Sequence, residues 1–264
     1  MKTTILTVFV LILIPWRAAA VDITNLAEFY QAAPLSGITY PFKPGQYNII
    51  TNVDLNGSSY NPHHVIMDNS DVKVTIHNNA SSNTIRATDF HMSAGELDLL
   101  NRNALQLDGD MYQSGGKVTA TSTVAGGYAV YMNDTAKCYY LSGGELVVNA
   151  ISGLQTRAVM ARNFEQSGGS LTVTAGDDYT FAFAPATTAT FSGGSADIRG
   201  GYGTAAVGMY GTQTVTVTGN ADVRAYGGSG STAMGFYVNK VYQNGGSVIA
   251  EGGSGPSSTG IVVR

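Results

Sequence analysis

The sequence predicts an all-β fold, a parallel β-helix with three short strands in each coil of about 25 residues, and three observations carry it. First, a Ser-Gly-Gly tract recurs at Ser114-Gly115-Gly116, Ser142-Gly143-Gly144, Ser167-Gly168-Gly169 and Ser192-Gly193-Gly194. Looser copies stand at Ser93-Ala94-Gly95, Thr218-Gly219 and Asn244-Gly245-Gly246. The middle copies are 25 residues apart, with neighbouring intervals of 21, 28 and 26. Second, the residues after each tract alternate. Leu146 and Val148, Leu171 and Val173, Ala196 and Ile198, Ala221 and Val223, Val248 and Ala250 form one apolar set, the period of a half-buried strand. Third, each repeat holds two further apolar runs. One places Phe90, Met111, Tyr139, Phe164, Val215 and Val241 three residues before the Ser-type position. The other lies midway, as in Ala129-Val130-Tyr131-Met132, Arg157-Ala158-Val159-Met160 and Ala233-Met234-Gly235-Phe236. An antiparallel sandwich or barrel would also show regular turns, but would not need every third turn to carry the same side chains.

In chain order, residues 1–20 read as a secretory signal: Lys2, the apolar stretch Ile5 to Ile14, and Ala18-Ala19-Ala20 as a small-residue cleavage site. Residues 21–44 read as an N-terminal cap. Within it Asn25 to Ala33 has helical spacing, with Leu26, Phe29 and Tyr30 on one side, and stops at Pro34. Such a short capping helix would hide the open edge of a strand stack. Residues 45–264 carry the coils, two irregular ones over Gly45–Gly57 and Val65–Ile85 and then the regular repeats. At Gly219 the stretch Asn220-Ala221-Asp222-Val223-Arg224 matches Ser195-Ala196-Asp197-Ile198-Arg199, which implies a turn that has lost one glycine. The last residues, Gly260 to Arg264, match a mid-repeat strand without a polar cap. That leaves either a truncated chain or end-to-end association through the last coil.

Composition narrows the functional classes. Without Lys2 and Arg17 the chain has 18 acidic and 12 basic side chains, a net charge of −6, and no basic cluster that a nucleic-acid partner would need. No second long apolar run follows the signal, so no membrane span is expected in the mature chain. Charged residues are only 12% of the chain while Gly counts 33 and Tyr 15, the look of an exported β-rich protein. A lone cysteine, Cys138, allows no intramolecular disulfide and reads as a small core filler. His63, His64, His77 and His91 match no zinc spacing. Gly201-Tyr202-Gly203 and Gly227-Gly228-Ser229-Gly230 lack the Lys-Ser/Thr of a phosphate loop. Asp108, Asp110, Asp134, Asp177 and Asp178 sit beside Gly or Asn or at corners, as turn residues do.

The motifs Gln113-Ser114-Gly115-Gly116-Lys117-Val118-Thr119-Ala120, Leu141-Ser142-Gly143-Gly144-Glu145-Leu146-Val147-Val148 and Gln166-Ser167-Gly168-Gly169-Ser170-Leu171-Thr172-Val173 resemble those of right-handed parallel β-helices of the pectin-lyase-like superfamily. More closely, they resemble Ser-Gly-Gly repeat proteins of bacterial surfaces and autotransporter passenger domains. The resemblance implies export, exposure at the cell surface, adhesion or carbohydrate binding, and in some members polysaccharide cleavage.

Stacking of equivalent positions singles out one candidate site. Two residues before the Ser-type position the outward line reads His91, Tyr112, Tyr140, Glu165, Thr190, Thr216, Tyr242, and four before it Asp89, Asp110, Cys138, Asn163. Asp89, His91, Asp110, Tyr112, Tyr140 and Glu165 would then form an acidic-aromatic strip, of which His91, Tyr112, Tyr140 and Glu165 could bind an extended extracellular glycan, with tyrosine faces stacking on sugar rings. Asp89 and Asp110, one coil apart, would repel unless a cation such as calcium bridged them. No other cofactor is expected. A further outward run, Tyr131, Met160 and Phe183, offers a protein-docking face if Phe183 points outward. The reading is a secreted or cell-surface, non-enzymatic protein of adhesion or glycan binding. A polysaccharide lyase or glycoside hydrolase, or a structural spacer, are the alternatives.

Overall fold

The computed structural model describes residues 21–23, 46–49, 53–56, 64–68, 70–71, 73–77, 83–87, 89–132, 137–151, 157–177 and 180–263. The secretory signal expected over 1–20 and the helix expected within 25–33 both lie outside these residues. Among the described residues the chain forms a parallel β-solenoid of three sheets, holding ten, nine and eight strands. Its strands visit the sheets in rotation. Met111–Gln113 lies in the first, Lys117–Ser122 in the second and Tyr128–Met132 in the third; Cys138–Leu141 then returns to the first, beside Met111–Gln113. The first sheet opens with Val21–Ile23 paired to Gln46–Ile49.

Like stands over like, as a solenoid requires. In the first sheet Phe90, Met111, Tyr139, Phe164, Ala189, Val215 and Val241 are successive register partners. In the second, Leu97, Val118, Leu146, Leu171 and Ala196 follow one another. These positions down to Val215 are buried, and from the third sheet Phe183, Met209 and Phe236 join them. Rings interlock along the axis: Phe164 lies 5.7 Å from Tyr139, 5.0 Å and edge-on to Phe183, and 5.8 Å from Phe191. Phe183 therefore points inward, and the docking run that Tyr131 and Met160 begin does not include it.

The two glycines of each tract answer two different demands. The second turns with positive φ, +68° at Gly116, +77° at Gly144, +67° at Gly169 and +77° at Gly194, a region costly for any residue with a Cβ. The first sits under the preceding coil: a Cβ on Gly143 or Gly168 would run into the carbonyl of Ser114 or Ser142. Inside the corner, glutamine side chains tie coil to coil. Gln113 Nε2 donates to the Glu145 carbonyl of the next coil at 2.9 Å, and Gln166 Nε2 to that of Ser195 at 2.9 Å. Tyr139 Oη donates to Gln113 Oε1 at 2.7 Å, whereas Gln166 Oε1 is buried with no protein partner.

The turn at Gly219 differs from the alignment drawn from sequence. Ser195 pairs with Asp222, Ala196 with Val223, Asp197 with Arg224 and Ile198 with Ala225, two residues further along than the expected match. Gly219 stacks under the Ser192 carbonyl as Gly193 does under that of Ser167, and the chain then needs Asn220 and Ala221 where Gly194 sufficed. One residue has been gained, not a glycine lost. Alternation could not reveal this, because a two-residue shift keeps the same parity facing the core. Charge distinguishes the two: the expected match sets Asp222 over Asp197 and Arg224 over Arg199, whereas the observed one sets Arg224 beside Asp197.

Candidate functional site

The strip expected on the first sheet is assembled by strand pairing. Tyr112 pairs with His91 on one side and Tyr140 on the other, and Tyr140 pairs with Glu165. Alternation puts these side chains outside the column. His91, Tyr112 and Glu165 are exposed and Tyr140 half-buried. The rings stack on one another, His91 to Tyr112 at 4.6 Å and 15°, Tyr112 to Tyr140 at 4.9 Å and 9°. A coil-to-coil rise of about 4.8 Å nearly matches the distance at which aromatic rings stack, so the sheet itself drives this arrangement. It alters how the strip can meet a ligand. The faces of Tyr112 are turned toward its neighbours, and what it offers outward is its edge and hydroxyl.

Asp110 is bound into the same strip. Its Oδ2 accepts from Tyr112 Oη at 3.2 Å and its Oδ1 from the Cys138 backbone N–H at 2.9 Å. Both oxygens thus hold protein donors. The Asp89 backbone lies in the strand Asp89–Met92, and its side chain is outside the described set. Among the described residues no three His, Cys, Asp or Glu side chains converge on a point where a metal could sit. Cys138 is a free thiol buried beside the strip, and burial first, then the charges of Glu165 and Asp110, push its pKa up to about 12. The Tyr140 phenol is also pushed up to about 12, by desolvation ahead of Cys138, Glu165 and Asp110.

Other carboxylates are engaged with cations on the second sheet. Lys73, Glu96, Lys117 and Glu145 succeed one another in register, alternating in sign, with Lys73–Glu96 at 3.0 Å and Lys117–Glu145 at 3.1 Å. Further along, Asp197 and Arg199 pair within one strand at 2.8 Å, as do Asp222 and Arg224. Exposed pairs of this kind contribute under about 1 kcal/mol each, but their sequence of signs favours one register.

The third sheet carries a feature that sequence reasoning did not single out. Its strands are four residues long at Arg157–Met160 and Thr180–Phe183, then widen to nine at Tyr202–Tyr210 and ten at Ser229–Val238. A groove of about 270 Å³ opens on the widened part, lined by Phe181, Thr204, Ala205, Val207, Tyr210, Thr232, Met234 and Tyr237. Phe181, Tyr210 and Tyr237 stack at 3.7 and 5.3 Å. The available signal was the 27-residue interval between Tyr210 and Tyr237, each just after an inward residue, Met209 or Phe236. Of Gly201-Tyr202-Gly203 and Gly227-Gly228-Ser229-Gly230, which no phosphate motif explained, Gly201 and Gly227-Gly228 lie in the corner and the rest begin these strands. A Cβ on Gly228 would strike the Gly201 carbonyl, so that corner is built by backbone stacked on backbone.

No family model matches this sequence, and neither a curated protein nor a solved structure shows significant similarity to it.

Proposed function

We propose that this chain is an exported, non-enzymatic β-solenoid that acts at the cell surface in adhesion or glycan binding, meeting its ligand along the first sheet. The observation that carries the reading is the stacked, outward row His91, Tyr112, Tyr140 with Glu165 beside it. Side chains that serve only to cover a sheet need not be aromatic in three successive coils. A row that presents an imidazole edge, two phenolic hydroxyls and then a carboxylate, one group per coil, suits a polymer with regularly spaced hydroxyls lying along the column axis. Calcium, if it takes part, would have to compete with Tyr112 and the Cys138 N–H for Asp110. The carboxylates of the second sheet paired with Lys and Arg support a structural use of those acids over the acid-and-nucleophile pair of a glycosidase.

The test is a glycan array together with affinity electrophoresis on the mature chain. Retention should fall at least tenfold in Tyr112→Ala plus Tyr140→Ala, with far-UV circular dichroism unchanged because both side chains lie outside the core. Retention that persists undiminished removes the strip from the account. Release of reducing or unsaturated ends from a polysaccharide would favour a lyase or hydrolase, and retention of no glycan at all a spacer.

A further inference from the structure

We infer that the groove on the third sheet is a second ligand site, distinct from the first-sheet strip, and that its ligand is a pyranose unit of a neutral glycan. The geometry begins with the step in strand length. Where four-residue strands give way to nine and ten residues, the sheet gains a shelf, and Phe181 at the shelf's edge closes one end against Tyr210. The floor is apolar, made by Val207 and Met234, which are register partners one coil apart. One wall is the stack of Tyr210 and Tyr237; the opposite one carries Thr204 and Thr232.

That distribution specifies the chemistry. None of the eight lining side chains is charged, so an anionic sugar such as a uronate would lose its hydration without gaining a counter-ion. A purely apolar ligand would set the hydroxyls of Thr204, Thr232 and Tyr210 against carbon and offer them no hydrogen bond in place of water. A neutral pyranose meets both walls and the floor: its C–H face lies on Val207 and Met234, and its equatorial hydroxyls exchange hydrogen bonds with phenols on one side and threonines on the other. The cation of the neighbouring coil, Arg157, has its guanidinium 5.9 Å from the Phe181 ring and is not among the lining residues. Among the described residues, the earlier coils differ at this place. The place that Tyr210 and Tyr237 share is held by Met160 and Tyr131 two to three coils back, on a sheet too narrow for a second wall.

The experiment uses the mature chain and a panel of cello-, malto- and manno-oligosaccharides, with oligogalacturonate and a non-ionic detergent as comparisons. Its only tryptophan, Trp16, lies in the signal, so binding is read by saturation-transfer NMR and tyrosine fluorescence. Two variants preserve packing volume: Thr204→Val plus Thr232→Val, and Tyr210→Phe plus Tyr237→Phe. At least one neutral oligosaccharide should bind the native chain with little dependence on salt. Each double variant should weaken it by about tenfold, the loss of two or so hydrogen bonds, while Tyr112→Ala plus Tyr140→Ala leaves it unchanged. The inference is overturned by no neutral oligosaccharide bound, by binding that survives both groove variants, or by a preference for oligogalacturonate or detergent. Loss of binding in the strip variant alone would place the sugar on the first sheet and likewise overturn it.

Discussion

Cys138, Tyr139 and Tyr140 bring three acids that are weak to begin with into one short strand, and the column weakens them further. Burial lifts Cys138 from an ordinary 9.0 and Tyr140 from 10.0 to about 12, and holds the fully buried Tyr139 phenol higher still. Each proton is therefore kept to higher pH in the folded chain than in the unfolded one. By linkage, the stability these groups contribute is whole below about pH 9, then declines as pH rises through 12. Urea midpoints followed by circular dichroism should be level from neutral pH to about 9 and fall beyond it. In Cys138→Ala the fall should begin nearer 10, where only the tyrosines remain. A midpoint that holds or rises up to pH 12 would contradict the burial assigned to this strand. The thiol's burial was only half legible from the sequence: a lone cysteine reads as filler, but alternation sets Cys138 on the outward line with Asp110 and Asn163, and the structure buries it there all the same. The stacking of His91, Tyr112 and Tyr140 on each other was not, because pattern gives the face a ring occupies and not the orientation of its plane.

At the scale of the turn, the recurring glycine pair was the strongest signal in the chain, and it reported two constraints at once. Gly169 combines φ of +67° with a would-be Cβ 2.6 Å from the Gly144 carbonyl. Gly169→Ala should therefore destabilise the column by about 2 kcal/mol or more, from left-handed strain and coil displacement together. Chemical denaturation checks this. Ser170→Ala, one position on and half-buried, serves as the comparison and should change stability by under about 0.5 kcal/mol. Equal effects of the two substitutions would contradict the role given to the second glycine. The turn at Gly219 shows where pattern reading ends. Alternation fixed which residues face inward, but registers two residues apart are the same to it, and only the pairing of Asp197 with Arg224 separates them. The groove was hidden for a related reason: no local motif marks the lengthening of Tyr202–Tyr210 and Ser229–Val238.

Over the whole molecule the described strands form one column in which each coil is both product and template of its neighbours. Its apolar interior runs without a break from Met67 to Val238. The last coil is less covered: Val241 and Val248 are half-buried, Ile261 and Val263 exposed. Among the described residues no charged side chain is buried, and the outside of the sheets carries the aromatic strip on the first, alternating charges on the second and the groove on the third. Everything placed there depends on equivalent residues of successive coils lying side by side in parallel register. Paired cysteines introduced at Asp197 and Arg224, compared with a pair at Asp197 and Asp222 in a Cys138→Ser background, test that dependence most directly. Neighbouring strands about 4.8 Å apart lie within disulfide reach. Mild oxidation read by peptide mass spectrometry should link 197 to 224 and leave 197 and 222 free. A link between 197 and 222, or between neither pair in a chain that is otherwise folded, would contradict the register and the column built on it.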